Sequence, residues 1–289
     1  MAYDIDYIDH PGILTRDLDG LEKRYQELGF TLSPRSRHML NDRPGAPLVP
    51  TCTANRCALF GESYIELLGI VDESAPDPWR AKQMAAREGF RILQLGGDVE
   101  AASPRLQEAG LSGSGVLALE RDVETEEGTR TMRALSVHMD PRVVTEGYLG
   151  VAQHLTPGYV HQPRYLTHPN GALRVGGVLV VIADADHEAV VARYERLLDR
   201  TATREGVRTV LTLRAGRIEI VRASDAEEVL PGEPAPAASY LAAMNIVVAD
   251  LDAARDLIEG NGVVTRPLGD GFLVSARDAY GASLVFTAS

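Results

Sequence analysis

An apolar run that ends in an acidic phrase recurs four times along the chain: Thr15-Arg16-Asp17-Leu18-Asp19, Gly96-Gly97-Asp98-Val99-Glu100, Ile182-Ala183-Asp184-Ala185-Asp186 and Val248-Ala249-Asp250-Leu251-Asp252. Each run is short enough for a strand, and a helical pattern follows each phrase. Leu18, Leu21, Tyr25 and Leu28 fall three or four apart, as do Val190, Tyr194 and Leu197 with Leu198 beside it. Aspartate suits the junction because its carboxylate accepts from the unpaired N–H groups of a first helical turn. A second acid there complements the helix dipole. Gly29, Gly110 and Gly260 stand where C-terminal caps are expected.

Strand-like segments follow every helix: 57–60 and 64–70, 131–137 and 148–151, 207–213 and 218–222, 272–275 and 283–287. Turn signals such as Gly61-Glu62, Ala215-Gly216 and Tyr280-Gly281 separate the last two strands of a unit. The repeating unit is read as a strand, a helix and three strands, βαβββ, the segments named being the last two strands of each. Its starts lie roughly 66 to 86 residues apart. The spacing predicts an α+β fold of four such modules. Pro157, Pro163 and Pro169 break the pattern between the second and third units. The chain is thus divided into an N-terminal domain over 1–155, a linker over 156–172 and a C-terminal domain over 173–289. A second Pro/Ala-rich loop, 231–238, separates the third unit from the fourth.

The composition, 45% apolar and 24% charged, is that of a globular protein with a core of its own. A formal net charge of −12 without a basic cluster argues against nucleic acid as a partner and leaves a small molecule as the expected one. No stretch reaches the ~20 apolar residues that cross a bilayer, so no membrane partner is expected. The first residues, Met1 to Asp6, do not resemble a signal peptide, and Cys52 and Cys57 have no partner pair elsewhere. A cytoplasmic protein with two free thiols is expected.

The four units can be aligned on Asp17, Asp98, Asp184 and Asp250. Seven residues back stand His10, Arg91, Gly177 and Ala243, of which only His10 is a ready metal ligand. The last strand of the same unit, Tyr64-Ile65-Glu66-Leu67-Leu68, sets one carboxylate in an apolar run. A buried carboxylate is costly without a cation or hydrogen-bond donors beside it. Glu219 falls where Glu66 falls but lacks a histidine partner, so a salt bridge is expected there. His187, in the first turn of the third long helix, is expected at the surface, and His138, His161 and His168 are read as strand-end or linker residues.

The phrase 10–19, together with Thr53-Ala54-Asn55-Arg56 and 64–68, resembles the glyoxalase-like branch of the vicinal oxygen chelate superfamily. The resemblance implies that paired βαβββ modules curl into half-barrel domains around a divalent metal, with ligands from first and fourth strands. It makes His10 and Glu66 ligands. A third would come from the last strand of the second unit, where Gln153 and His154 point opposite ways. His154 is preferred, because it would complete a two-histidine, one-carboxylate face open to substrate or dioxygen.

Arg91 would face the cavity and hold a substrate carboxylate or enolate, with Glu66 the other group acting on substrate. His38 and Asn55, placed in the connection between the second and third strands, would line its mouth. The implied cofactor is one divalent ion, Fe(II) or Zn, Mn, Ni or Co. Three functions stay open: dioxygenase, glyoxalase-type lyase or isomerase, and metal-free sequestration of a drug-like molecule. The C-terminal half, without matched ligands, would cover the cleft, form a homodimer or hold the architecture.

Overall fold

The computed structural model describes residues 3–40, 47, 49–77 and 80–289. The first unit consists of β1 (Ile5–Thr15), α1 (Leu18–Glu27), β2 (Ser36–Leu40), β3 (Val49–Leu59) and β4 (Tyr64–Ile70). A short α2 (Ala81–Met84) leads to the second, β5 (Gly89–Gly97), α3 (Val99–Glu108), β6 (Leu117–Thr125), β7 (Gly128–His138) and β8 (Tyr148–His154). The proline-rich segment holds α4 (Pro157–Val160) and a 3-10 turn (Pro163–Tyr165). The third unit is β9 (Ala172–Ile182), α5 (His187–Leu198), β10 (Thr203–Glu205), β11 (Arg208–Thr212) and β12 (Arg217–Arg222). After α6 (Ala226–Val229) comes the fourth, β13 (Tyr240–Val248), α7 (Leu251–Gly260), β14 (Thr265–Leu268), β15 (Gly271–Val274) and β16 (Ser283–Ala288).

Three of the four acidic phrases cap their helices. Asp17, Asp98 and Asp250 each accept a first-turn N–H at 3.0 Å, from Gly20, Ala101 and Ala253. The third departs from the expected pattern: α5 begins after Asp186, and Asp184 instead accepts from the Ser224 N–H at 3.0 Å, holding the loop after β12. Gly29 and Gly110 close α1 and α3 with φ of 83° and 67°. At α7 the residue with positive φ is Gly262, two places beyond Gly260.

The eight strands of the first two units form a closed barrel in the order β1-β4-β3-β2-β6-β7-β8-β5. Units one and two therefore pair with each other. Strand β1 runs parallel to β4 and antiparallel to β5, and β2 meets β6 to close the circuit. The last two units form an open eight-stranded sheet with the same central arrangement, β12-β9-β13-β16.

The β1–β5 register carries a local two-fold symmetry centred on the pair Pro11 and Leu93. His10 pairs with Gln94 and Gly12 with Ile92, while Ile8 pairs with Leu95 and Ile13 with Phe90. Asp9 is thus the extra residue bulged out of β1, and Arg91 is its mate in β5. The symmetry equates His10 with Ile92, not with Arg91. Counting back from the helix caps goes wrong by one residue because Arg16 separates β1 from its cap, whereas β5 runs directly into Asp98. In a strand, one residue is a change of face.

The main core joins both halves, from Ile5, Leu21 and Leu93 in the first to Val180, Ile246 and Phe286 in the second. In the second half the face that corresponds to the barrel lumen is filled. Leu179, Val181, Val221 and Ala243 pack there with Val229 and Leu230 from α6 and the residue after it. Gly177 brings no donor, and Glu219 is bound to Arg208 at 2.7 Å and Arg217 at 2.5 Å. His187 is buried rather than exposed, at 1% accessibility, because the first turn of α5 faces the sheet.

Candidate functional site

The barrel lumen holds a cavity that opens to the outside at one mouth. Its lining is mostly apolar, with Leu68, Met84, Ile92, Leu119, Met132 and Leu135, interrupted by His10, Glu66, Gln94, Arg121 and His154. Val160 and Tyr165 of the proline-rich segment pack on the cluster around Cys57, Leu59 and Met132, so this segment straps one end of the barrel. His161 and His168 anchor it, through contacts with the carbonyls of Phe60 at 2.7 Å and Leu59 at 2.9 Å. Cys52 and Cys57 are free and buried.

Successive strand residues normally face opposite ways, but the β1 bulge lets Asp9 and His10 meet. His10 Nδ1 lies 2.6 Å from Asp9 Oδ2, and the Tyr64 ring stacks on the imidazole with centroids 4.4 Å apart. His10 Nε2 then points at Glu66 Oε2, 3.7 Å away. A carboxylate behind one ring nitrogen, with the other presented to a second carboxylate, is the arrangement that orients metal-ligating histidines. Burial alone would raise the Glu66 carboxyl, but His10, His38, the Asn55 hydrogen bond and Arg121 together hold it below its ordinary value. Asp9 follows the same balance: burial opposes its charge, and His154 and the hydrogen bonds from His10 and His154 outweigh that, leaving it well below the usual carboxylate range.

His38 and Asn55 line the cavity from strands β2 and β3, not from the loop between them. Both attend Glu66: the Asn55 amide donates to Oε1 at 2.6 Å, and His38 Nε2 lies 3.5 Å from the same oxygen. His154 also faces the cavity, but its Nε2 is turned to Asp9 Oδ2 at 3.3 Å. Gln153 points the other way and accepts from the Val99 N–H at 3.1 Å, capping α3. Among the described residues no three His, Cys, Asp or Glu side chains converge as a metal site. The expected triad of His10, Glu66 and His154 is not assembled.

Arg91 is absent from the lining, because the bulge position and its change of face take it out of the lumen. Two residues that were not singled out from the sequence stand in the cavity instead. Gln94, paired with His10, is 6% exposed and its Oε1 is buried without a hydrogen-bond partner. It lies over Gly150, where an added Cβ would come within 2.4 Å of that oxygen. Gly12 and Glu66 are partners in β1–β4, and the two-fold symmetry carries them onto Gln94 and Gly150. The second unit therefore offers its polar atom from the first strand, where the first unit uses the last. An imidazole, a carboxylate and an orphaned amide oxygen fit a borderline or hard divalent ion. Arg121 is the other unforeseen residue.

His38 is held neutral: burial lowers its value from 6.5 to about 4, with Glu66 opposing and Arg121 and His10 reinforcing. On unfolding it takes up a proton below its ordinary value. Its contribution to stability is therefore present above about pH 6.5 and lost as pH falls toward 4. Denaturant titrations of EDTA-treated protein are expected to show His38→Gln losing about 2 kcal/mol less stability than the wild type between pH 7 and pH 5. Parallel pH profiles would contradict this.

A model of the glyoxalase-like domain family matches residues 8–198. No curated protein matches the chain. A hypothetical protein from Staphylococcus aureus is similar in structure, with a TM-score of 0.65 at 16% identity over 99% of this chain and 100% of that one. A mutant 4-hydroxymandelate synthase from Streptomyces coelicolor aligns with a TM-score of 0.58 at 13% identity, over 99% of this chain and 92% of the synthase. A xylose isomerase-like TIM barrel/4-hydroxyphenylpyruvate dioxygenase fusion protein aligns with a TM-score of 0.56 at 14% identity, over 92% of this chain and 40% of the fusion. At such identities the shared property is the fold.

Proposed function

The chain belongs to the glyoxalase-like domain family of the vicinal oxygen chelate superfamily, and on that premise we propose that the first barrel is a metal-dependent lyase or isomerase site for a small oxygenated organic molecule. His10, Glu66 and the Gln94 side-chain oxygen would hold the ion. The observation that carries this reading is the doubly committed imidazole of His10, fixed by buried Asp9 on one nitrogen and aimed at Glu66 with the other. When bound, the ion supplies Lewis-acid polarisation of a substrate oxygen.

The protein's own groups do the positioning. Asn55 fixes one Glu66 oxygen, Tyr64 holds the His10 ring in plane, and the apolar wall excludes water. Tyr148, whose buried hydroxyl has no partner, and the Ser136–His138 pair at 3.1 Å offer donors from β7 and β8. Dioxygenase chemistry is the weaker alternative, since His154 is engaged by Asp9 and the two-histidine face suited to Fe(II) is not formed. A second reading, metal-free ligand binding, draws on Ile92 and Gly150, which bring no donor to the positions equivalent to His10 and Glu66.

Elemental analysis of protein purified without chelator tests the choice. About one equivalent of a divalent metal is expected, with most of it lost in His10→Ala and in Glu66→Ala while circular dichroism is unchanged. Metal-free wild type would favour the binding protein, and a full equivalent kept by both variants would place the ion elsewhere.

A further inference from the structure

We propose that Arg121 is the anion-binding group of the cavity, and that the ligand is an apolar molecule bearing a carboxylate. This rests on the reading that the barrel lumen is the functional site, and it does not depend on a bound metal. Arg121 sits on β6 and is 6% exposed. Its Nη1 donates to Asn55 Oδ1 at 2.8 Å, and its Nε is buried with no hydrogen-bond partner.

Among the described residues no carboxylate lies within ion-pair distance of the guanidinium. Hydrogen bonding links Arg121 to Glu66 through Asn55, whose amide donates to Glu66 and whose oxygen accepts from Arg121, while the two charges also act on each other across the cavity without touching. A buried cation with an unused donor is expensive unless something pairs with it. The cavity supplies the place for that partner.

The direction of approach follows from the surroundings. Arg121 lines both the main cavity and a smaller pocket that opens beside Ser33 and Tyr159. The smaller pocket contains Asp122 and Glu124 as well as Arg35, so its own charges already offset one another and leave an excess of carboxylate. On the cavity side the nearest strand neighbours are apolar, with Leu119, Met132 and Leu135, and the carboxylate that shares the cavity, Glu66, is already held by Asn55 and faced by His10 and His38. A carboxylate there would take the planar guanidinium fork, and a hydrocarbon or aromatic body would fill the lumen toward His10 and Glu66. Alignment on the capping aspartates assigns this task to Arg91; the register places the cation on another strand.

The experiment uses EDTA-treated protein, so that no metal can hold a carboxylate, and the probes are benzoate, phenylacetate and 3-phenylpropanoate, each set against its primary amide. Calorimetry or ligand-observed NMR is expected to find at least one acid binding wild type about tenfold or more tightly than its amide. Arg121→Lys should keep that preference. Arg121→Gln and Arg121→Met should abolish it without changing amide affinity, with circular dichroism as the check on folding. A preference that survives in both neutral variants overturns the proposal, and so does a wild type that binds none of the acids better than its amide. Neither result bears on the metal content of the His10 and Glu66 variants, so the two readings fail separately.

Discussion

Glu146→Ala is expected to lower the free energy of unfolding by about 3–5 kcal/mol, because it leaves a buried guanidinium without its counterion. Glu146 is 1% exposed, in the loop between β7 and β8. Its Oε1 accepts from the Arg193 guanidinium and from the Tyr194 hydroxyl, the latter at 2.8 Å, and its Oε2 accepts from the Thr145 N–H at 3.0 Å. Arg193 and Tyr194 belong to α5, so this one carboxylate ties the barrel to the second half. Leu241 reinforces the join by donating its N–H to the Glu146 carbonyl at 3.3 Å. Breaking one member of a buried pair costs far more than replacing both with apolar groups. The double variant Glu146→Leu/Arg193→Met should therefore recover much of the loss in equilibrium denaturation. Equal destabilisation in single and double variants would show that the charge pair is not what joins the halves.

Asp9→Asn is expected to weaken metal binding by about 10–100-fold, the usual penalty for losing a carboxylate behind a ligating histidine. Asp9 is fully buried, and its Oδ2 lies 2.6 Å from His10 Nδ1 and 3.3 Å from His154 Nε2. An amide can fill the same space without supplying the charge that holds the His10 ring with Nε2 free toward Glu66. Competitive titration with a fluorescent zinc chelator measures the change, and far-ultraviolet circular dichroism confirms that the barrel persists. Unchanged affinity in a folded variant would reduce Asp9 to a packing residue.

Local chemistry made the architecture readable. Four aspartate-marked junctions with strand-length apolar runs before them and helical spacing after them define the βαβββ repeat, and three of those aspartates cap their helices as expected. The His10 and Glu66 pair was legible for a similar reason. Each is an unusual residue for an apolar strand, and a buried polar side chain needs a partner wherever the chain places it.

What the linear order could not supply was register. Asp9, Arg91 and Gln94 depend on a bulge in each of β1 and β5, and a bulge exists only in relation to the opposite strand. One residue of slip removed Arg91 from the lumen and brought Gln94 into it. Likewise nothing near residue 121 announces a cavity cation; it becomes one when β6 meets β2 and sets Arg121 beside Asn55, 66 positions away. The sequence alone determined the four long helices and the strands on either side of them, though not β2, β6, β10 and β14, because capping and periodicity act within a few residues. Only the closed barrel decided which side chains share an interior, because that depends on hydrogen-bond pairing between segments far apart in the chain.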